Sequence, residues 1–334
     1  MNFAATLLQW FKNNGRSLPW RETKDAYAIW LSEVILQQTR IAQGMSYWER
    51  FMAQWPTVND LAAATEDEVL KAWQGLGYYS RARNLHTAAQ QVVELGGFPQ
   101  TFKELKILKG VGDYTAAAIA SIAFGEPVAV VDGNVYRVLS RYFGIETPID
   151  STEGKKEFQA LAQSLLPINE PADYNEAIMD FGATQCTPNS PHCSACPLCE
   201  TCVAFREQRI NELPVKSKKV KQRERHFTYL YIEYEGKIAI HQRGAGDIWQ
   251  GLWEFPQAEQ LTSSEDSAWE NEAQLLQKGV KHILTHQILL ADIYLWQPKN
   301  RPQLPSEFIW IEKQDLENYA LPRLIEILLK VVPA

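Results

Sequence analysis

The sequence predicts a mainly α-helical domain followed by a smaller α+β domain. Three observations carry this reading. Residues 1–212 hold a succession of segments with apolar residues at helical spacing, separated by glycine-containing turns. After residue 225 the pattern becomes strand-like. A short basic stretch, "LPVKSKKVKQRER" (213–225), joins the two and reads as an interdomain linker. A chain of 334 residues is long enough for two cores.

The elements follow in order. "MNFAATLLQWFKNNGR" lacks a basic leader, and Gln9 and Lys12 break its apolar part, so it reads as an amphipathic helix and not as a signal peptide. "DAYAIWLSEVILQQ", "EDEVLKAWQ", "SRARNLHTAAQQVVEL", "DYTAAAIASIAF" and "NVYRVLSRYF" carry helical spacing. In the second domain, "HFTYLYIEYEGKIAIHQR" reads as two strands around a Glu235-Gly236 turn, and "HILTHQILLADIYLW" as a further strand-rich run. "LPRLIEILLKVV" closes the chain as a helix with Pro322 in its first turn.

No stretch approaches the ~20 apolar residues of a membrane helix, which points to no membrane partner. The net charge is −7, which argues against a nucleic-acid partner until it is divided. Residues 1–212 carry −6, residues 213–225 carry +5 and residues 226–334 carry −6. Positive charge is thus gathered in the linker, which reads first as solvated and second as a phosphate contact. The absence of a leader implies a reducing, cytoplasmic compartment. There, metal thiolates are favoured over disulfides.

One feature repeats. "QGLGYYSRARNL" (74–85) and "KGVGDYTAAAIA" (109–120) both set Gly-x-Gly-x-Tyr before a helix. Glycine permits positive φ and close backbone approach, and the following helix N-terminus can hold an anion. Gly110 and Gly112 are the candidate phosphate hairpin. Two ordinary Gly-capped turns would look the same.

Two carboxylates are candidates for chemistry. Glu33 has Ile29, Trp30, Leu36 and Gln37 at helical neighbour positions. So apolar a face raises a carboxyl pKa and suits a general acid. The commoner fate of a helical Glu is an edge ion pair. Asp132 stands between an apolar run and a helix, as an N-cap does. Backbone N–H groups at that position keep an aspartate ionised. A protonated and an ionised carboxyl together suit cleavage of a glycosidic bond through an oxocarbenium-like centre.

All five cysteines fall within "CTPNSPHCSACPLCETC" (186–202), spaced C-x6-C-x2-C-x2-C-x2-C. Zinc held by Cys193, Cys196, Cys199 and Cys202 would be crowded by the three-residue steps. An iron–sulfur cluster tolerates such spacing. Spacing alone leaves the spare cysteine open.

These residues resemble a known family. "LPWR" (18–21), "SEVILQQT" (32–39), "GLGYYSRARNL" (75–85), "LKGVGDYTAAAIAS" (108–121), "VDGNVYRVLSR" (131–141) and the cysteine array are similar to those of helix-hairpin-helix DNA glycosylases, and the whole chain resembles MutY-type adenine DNA glycosylases. The resemblance implies a helix-hairpin-helix glycosylase domain with an iron–sulfur loop (1–212) and a MutT/Nudix-like domain (226–334). It implies removal of adenine opposite 8-oxoguanine or guanine, with double-stranded DNA as partner and a monomeric protein. It selects Cys186, Cys193, Cys196 and Cys202 for one [4Fe-4S] cluster and leaves Cys199 unligated. Glu33 is implied as the acid and Asp132 as the stabiliser of the cationic sugar, supported by Tyr114 and Asn134. Trp20, Arg21, Leu36 and Glu176 fall where the family lines its adenine pocket. Gln38, Thr39, Leu76, Gly77 and Tyr78 fall where it enters the duplex, a requirement for flipping a base out.

Endonuclease III-like relatives with lyase activity carry a lysine where this chain has Tyr114, and a phenol forms no Schiff base. The MutT-like region, with "QGLWEFP" (250–256), lacks the G-x5-E-x7-R-E box of Nudix pyrophosphatases. Where many members have Phe-Ser-His in the lesion-reading loop, this chain has Leu284-Thr285-His286, so Thr285 keeps the hydroxyl and the aromatic contact is lost. For DNA affinity the expected contributors are Arg21, Arg40, Arg81, Arg83, Lys106, Lys109, Arg137 and the linker. Two alternatives are another mismatch or pyrimidine-lesion glycosylase of the superfamily, and a non-catalytic iron–sulfur DNA-binding or redox-sensing protein. Tyr114 and the second domain argue against the first, and Glu33 discriminates the second.

Overall fold

The computed structural model describes residues 2–217, 221–261 and 268–333. Contacts divide the chain into two compact units, one of 1–62 with 87–218 and one of 63–86 with 219–334. Residues 63–86 thus group by contacts with the C-terminal residues.

The helical unit is built from α1 (Phe3–Asn14), α2 (Ala26–Ile35), α3 (Ile41–Gln54), most of α4 (Val58–Ala63) and, beyond residue 86, the end of a helix that begins in the other unit, with α7 (Phe102–Leu105), α8 (Asp113–Phe124), α9 (Gly133–Phe143), α10 (Thr152–Leu165), α11 (Pro171–Asp180) and α12 (Val203–Arg206). Caps set several of these limits. Asp25 and Asp132 accept backbone N–H groups at the starts of α2 and α9. Pro171 opens α11 without costing it a hydrogen bond. Gly125 ends α8 at φ 72°, in the left-handed region that favours glycine. The core joins Leu7, Ile29, Ala118, Leu139, Phe158, Ala177 and Phe181, each contributing through apolar area removed from water. α2 packs on α8, and α11 packs on α1, α8 and α9.

The second unit contains α5 (Glu66–Trp73), which starts with a Thr65/Glu68 capping box, and the first turns of α6 (Ser80–Glu94). Its sheet comprises β1 (Arg223–Tyr234), β2 (Lys237–Gln242), β3 (Trp253–Glu254), β4 (Gln274–Ile283), β5 (Gln287–Trp296) and β6 (Phe308–Glu312), in the order β3-β2-β1-β5-β4 with β6 also on β2. β1 and β5 run parallel; the other pairs are antiparallel. Glu235 and Gly236, at φ 48° and 78°, form the tight turn between β1 and β2 that was expected from sequence. α13 (Trp269–Glu272) and α14 (Arg323–Leu328) complete the unit; Leu324, Ile325 and Leu328 of α14 join Phe227, Tyr229, Ile240 and Leu289 in its core. The same unit holds α5 and β2 together through Gln242, which donates to Asp67 at 2.8 Å, and ties Lys71 to the Tyr319 carbonyl at 3.1 Å. Those bonds are the physical reason residues 63–86 belong here.

The basic stretch also differs from a free linker. The Val215 carbonyl accepts Ile149 N–H at 3.0 Å, and Ser217 N–H donates to Asp150 at 3.0 Å. Arg223–Arg225 already belong to β1, in register with Gln287–Leu289. Arg225 is committed to Asp247 at 2.6 Å. Lys218, Lys219 and Val220 lie outside the described residues. No helix among the described residues is long and apolar enough to cross a membrane.

Candidate active site and cysteine loop

In the helical unit a cavity of ≈ 800 Å³ gathers ten of the residues singled out in the sequence: Trp20, Arg21, Glu33, Leu36, Gln38, Thr39, Tyr114, Asp132, Asn134 and Glu176. They come from five places in the chain. Trp20 and Arg21 sit on a 3-10 turn (Pro19–Arg21), Glu33 on α2, Tyr114 on α8, Asp132 and Asn134 at the start of α9, and Glu176 on α11.

Glu33 is the one residue of α2 that keeps some exposure, and that exposure opens into this cavity. The Tyr114 hydroxyl donates to Glu33 Oε2 at 2.5 Å. Burial pushes the Glu33 carboxyl up to about 7; the Tyr114 bond and Arg21 pull it down, while Asp132 and Glu176 push it further up. Burial likewise raises the Tyr114 phenol, so Tyr114 is a neutral donor.

Asp132 Oδ1 accepts Asn134 N–H at 2.9 Å and Val135 N–H at 2.8 Å, and Oδ2 accepts Asn134 Nδ2 at 2.8 Å. Burial raises the Asp132 pKa, and the three hydrogen bonds with the nearby Arg137 charge only partly offset that. Glu176 is also raised by burial, against the pull of Arg21, whose Nε lies 3.5 Å away. Asp180 anchors this side of the cavity. Burial acts to raise it, but Arg21 and Arg16 donate to it and leave it below its ordinary value.

Arg137 is the residue whose role sequence reasoning missed. It was expected to face DNA; it is 8 % exposed and donates inward. Its acceptors are Asn134 Oδ1 at 2.8 Å, Gly182 O at 2.5 Å, Cys186 O at 2.7 Å and Gly133 O at 3.3 Å. A continuous hydrogen-bonded chain therefore runs from Asp132 through Asn134 and Arg137 to the start of the cysteine loop. Gly182 belongs to a π-helical turn (Phe181–Gln185) that follows α11. A Cβ at Gly182 would meet Asn134 Cβ at 2.6 Å, so only glycine allows this close approach.

Several other expected DNA contacts also have partners within their own unit, Lys106 in a surface ion pair. Arg21 donates to Asp180 at 2.9 Å, Arg81 to Gly77 O at 3.3 Å, Arg83 to Gln250 O at 2.6 Å, and Lys106 pairs with Asp113 at 2.6 Å. Arg40 and Lys109 are exposed. Gly110, at φ 76°, and Gly112, the N-cap of α8, form the hairpin outside the cavity, and a Cβ on Gly112 would meet nothing within 4 Å. Gln38 holds a left-handed φ of 57°, uncommon for a non-glycine residue.

Leu76, Gly77, Tyr78 and Thr285 lie in the second unit. Tyr78, at φ 47° and 48 % exposed, brings its hydroxyl to 2.5 Å from Thr285 Oγ1. Leu284 packs on the core beneath the loop, and Gln222 Nε2 donates to the Leu284 carbonyl at 2.9 Å.

All five cysteines line one small apolar cavity with Val138, Phe181, Leu198, Phe205 and Ile210, and none forms a disulfide. Burial pushes Cys196 up to about 12 and raises Cys193 and Cys202. Thiols so disfavoured as free thiolates fit a metal group that supplies the compensating positive charge. Arg141 supports the loop by donating to Cys186 Sγ at 3.5 Å, Thr187 O at 2.8 Å and Pro188 O at 3.0 Å. Among the described residues no three of His, Cys, Asp and Glu are spaced to hold a single metal ion.

Residues 31–167 match the profile of HhH-GPD superfamily base excision DNA repair proteins, and residues 228–331 that of a NUDIX domain. Adenine DNA glycosylase of Buchnera aphidicola (subsp. Schizaphis graminum) is 30 % identical over 342 residues, covering 98 % of each chain. The chain belongs to the adenine DNA glycosylase family. The human family member is 47 % identical over 221 residues, which span 63 % of this chain but only 40 % of the human protein. Of solved structures, a thermostable thymine-DNA glycosylase aligns at a TM-score of 0.57 and 32 % identity, covering 61 % of this chain and 95 % of that one. A trapped endonuclease III–DNA covalent intermediate aligns at 0.54 and 24 % identity, over 61 % and 94 %, a likeness of fold.

Proposed function

We propose that the protein excises adenine mispaired with 8-oxoguanine, and with guanine, from double-stranded DNA in base excision repair. The observation that carries this reading is the pairing, in one cavity, of a Glu33 carboxyl raised to about 7 with a second carboxyl, Asp132, fixed by three hydrogen bonds. With Tyr114 donating to Oε2, the Glu33 acid proton resides on Oε1 and can pass to a ring nitrogen of the adenine. Protonation makes the base a good leaving group, and the N-glycosidic bond breaks with its electron pair going to the base. Asp132, as carboxylate, stabilises the oxocarbenium-like sugar. Glu33, now ionised, accepts a proton from the attacking water and is restored. Trp20, Leu36 and Glu176 line the place for the base, and Arg21 holds Glu176. Tyr78 and Gln38, exposed and held at positive φ, are suited to entering the duplex, and Thr285 to reading 8-oxoguanine.

Cys186, Cys193, Cys196 and Cys202 would hold a [4Fe-4S] cluster, which when bound cross-links the loop. Arg137 and Arg141 then fix that loop against α9. Nothing in base excision by two carboxylates requires electron transfer.

Tyr114 has no amine, so excision should stop at the abasic site. An adenine·8-oxoguanine duplex incubated with the protein is expected to yield strand breaks only after hot alkali. Strong nicking without alkali would contradict the absence of a lyase step.

A further inference from the structure

Cys199 lies among four proposed ligands, and its backbone register gives it a use. Cys196 N–H donates to Cys193 O at 3.1 Å, Cys199 N–H to Cys196 O at 3.1 Å, and Cys202 N–H to Cys199 O at 3.2 Å. Two 3-10 turns, Cys193–Ala195 and Cys199–Thr201, lie within this run. These successive backbone turns carry the chain from Cys196 to Cys199 and from Cys199 to Cys202, and Cys199 lines the same apolar cavity as the other four. A purely structural fifth residue would not need a thiol there, since small apolar side chains fill such a wall as well.

We infer that Cys199 is a reserve ligand, able to take the iron left open when Cys196 or Cys202 is lost. This inference rests on the [4Fe-4S] reading above. The exchange is a ligand substitution: the Cys199 S–H proton passes to water, a new iron–Sγ bond replaces the missing one, and no iron changes oxidation state. Cys186 reaches the same cavity from the end of the π-helical turn, with no such backbone turn linking it to Cys199, so Cys199 is not expected to replace it.

The test is the iron and sulfide content of purified protein, read with its visible charge-transfer absorbance. Cys199→Ala is expected to keep a full cluster. Cys202→Ala and Cys196→Ala should each retain most of their iron, and both double variants with Cys199→Ala should lose it. Cys186→Ala should lose it although Cys199 is present. Far-ultraviolet circular dichroism of each variant separates cluster loss from unfolding, and two independent single/double pairs keep the comparison available should one variant fail to fold. Single variants emptied as completely as the doubles, while still folded, would overturn the reserve role. A cluster lost in Cys199→Ala alone would instead overturn the four-ligand assignment beneath it.

Discussion

Glu33→Gln is expected to lower the single-turnover rate of adenine release by about 10²–10⁴-fold, the span of a general acid, while mispair binding stays within a few-fold. Gln keeps the volume and still accepts from Tyr114, so the cavity is unchanged; what disappears is the transferable proton. The wild-type protein should carry the complementary signature in its pH dependence. The acid works only when protonated, and its pKa in the free protein is about 7. Hence kcat/KM should fall about tenfold per pH unit above that value, and should fall again in acid, where Asp132, itself raised by burial, takes up a proton. The sign for stability is the same. The folded-state pKa lies above the ordinary 4.5, so the contribution of neutral Glu33 is complete below about 4.5 and is lost as pH rises through 7. Glu33→Gln should flatten that part of the stability profile. A variant that released adenine at the wild-type rate would exclude Glu33 as the acid.

Arg137→Met is expected to damage both the fold and the reaction. Met retains the apolar stem but donates nothing, leaving the buried carbonyls of Gly182 and Cys186 without this partner, and Asn134 Oδ1 with them. Each buried polar group stranded in this way costs roughly 1–3 kcal/mol, so a loss of about 3 kcal/mol or more is expected in urea unfolding. Asn134 would then lose the anchor that aims its amide at Asp132. Displacements of about 1 Å at a reacting centre cost on the order of 10²-fold in rate. Unchanged stability with unchanged turnover would show that this chain of hydrogen bonds is incidental.

Much of the fold was legible because local chemistry fixes it. Asp25, Thr65, Gly125 and the Asp132-Gly133 step mark helix ends wherever they occur, and the Glu235-Gly236 turn needs the positive φ that those two residues adopt. Ten residues of the cavity were legible by resemblance, and the apolar surroundings of Glu33 by helical spacing alone. What stayed hidden depends on partners distant in sequence. Arg137 reads as an exposed helical cation until the Gly182 and Cys186 carbonyls, 45 and 49 positions away, are seen beneath it. The membership of residues 63–86 in the second unit rests on bonds to residues 175 and 248 positions away. The parallel pairing of β1 with β5 brings together strands that no local pattern links. The inward commitment of Arg21, Arg81 and Arg83 has the same origin, since charge is countable in a sequence and its direction is not.

Release of adenine from a mispair by two carboxylates in one cavity can be measured directly. The most direct measurement is chromatography of the free base liberated from a panel of duplexes carrying A·8-oxoguanine, A·G, T·G and 8-oxoguanine·C. Adenine is expected from the first two and no base from the others. Release of thymine or 8-oxoguanine, or no release from any duplex by folded protein, would contradict that expectation.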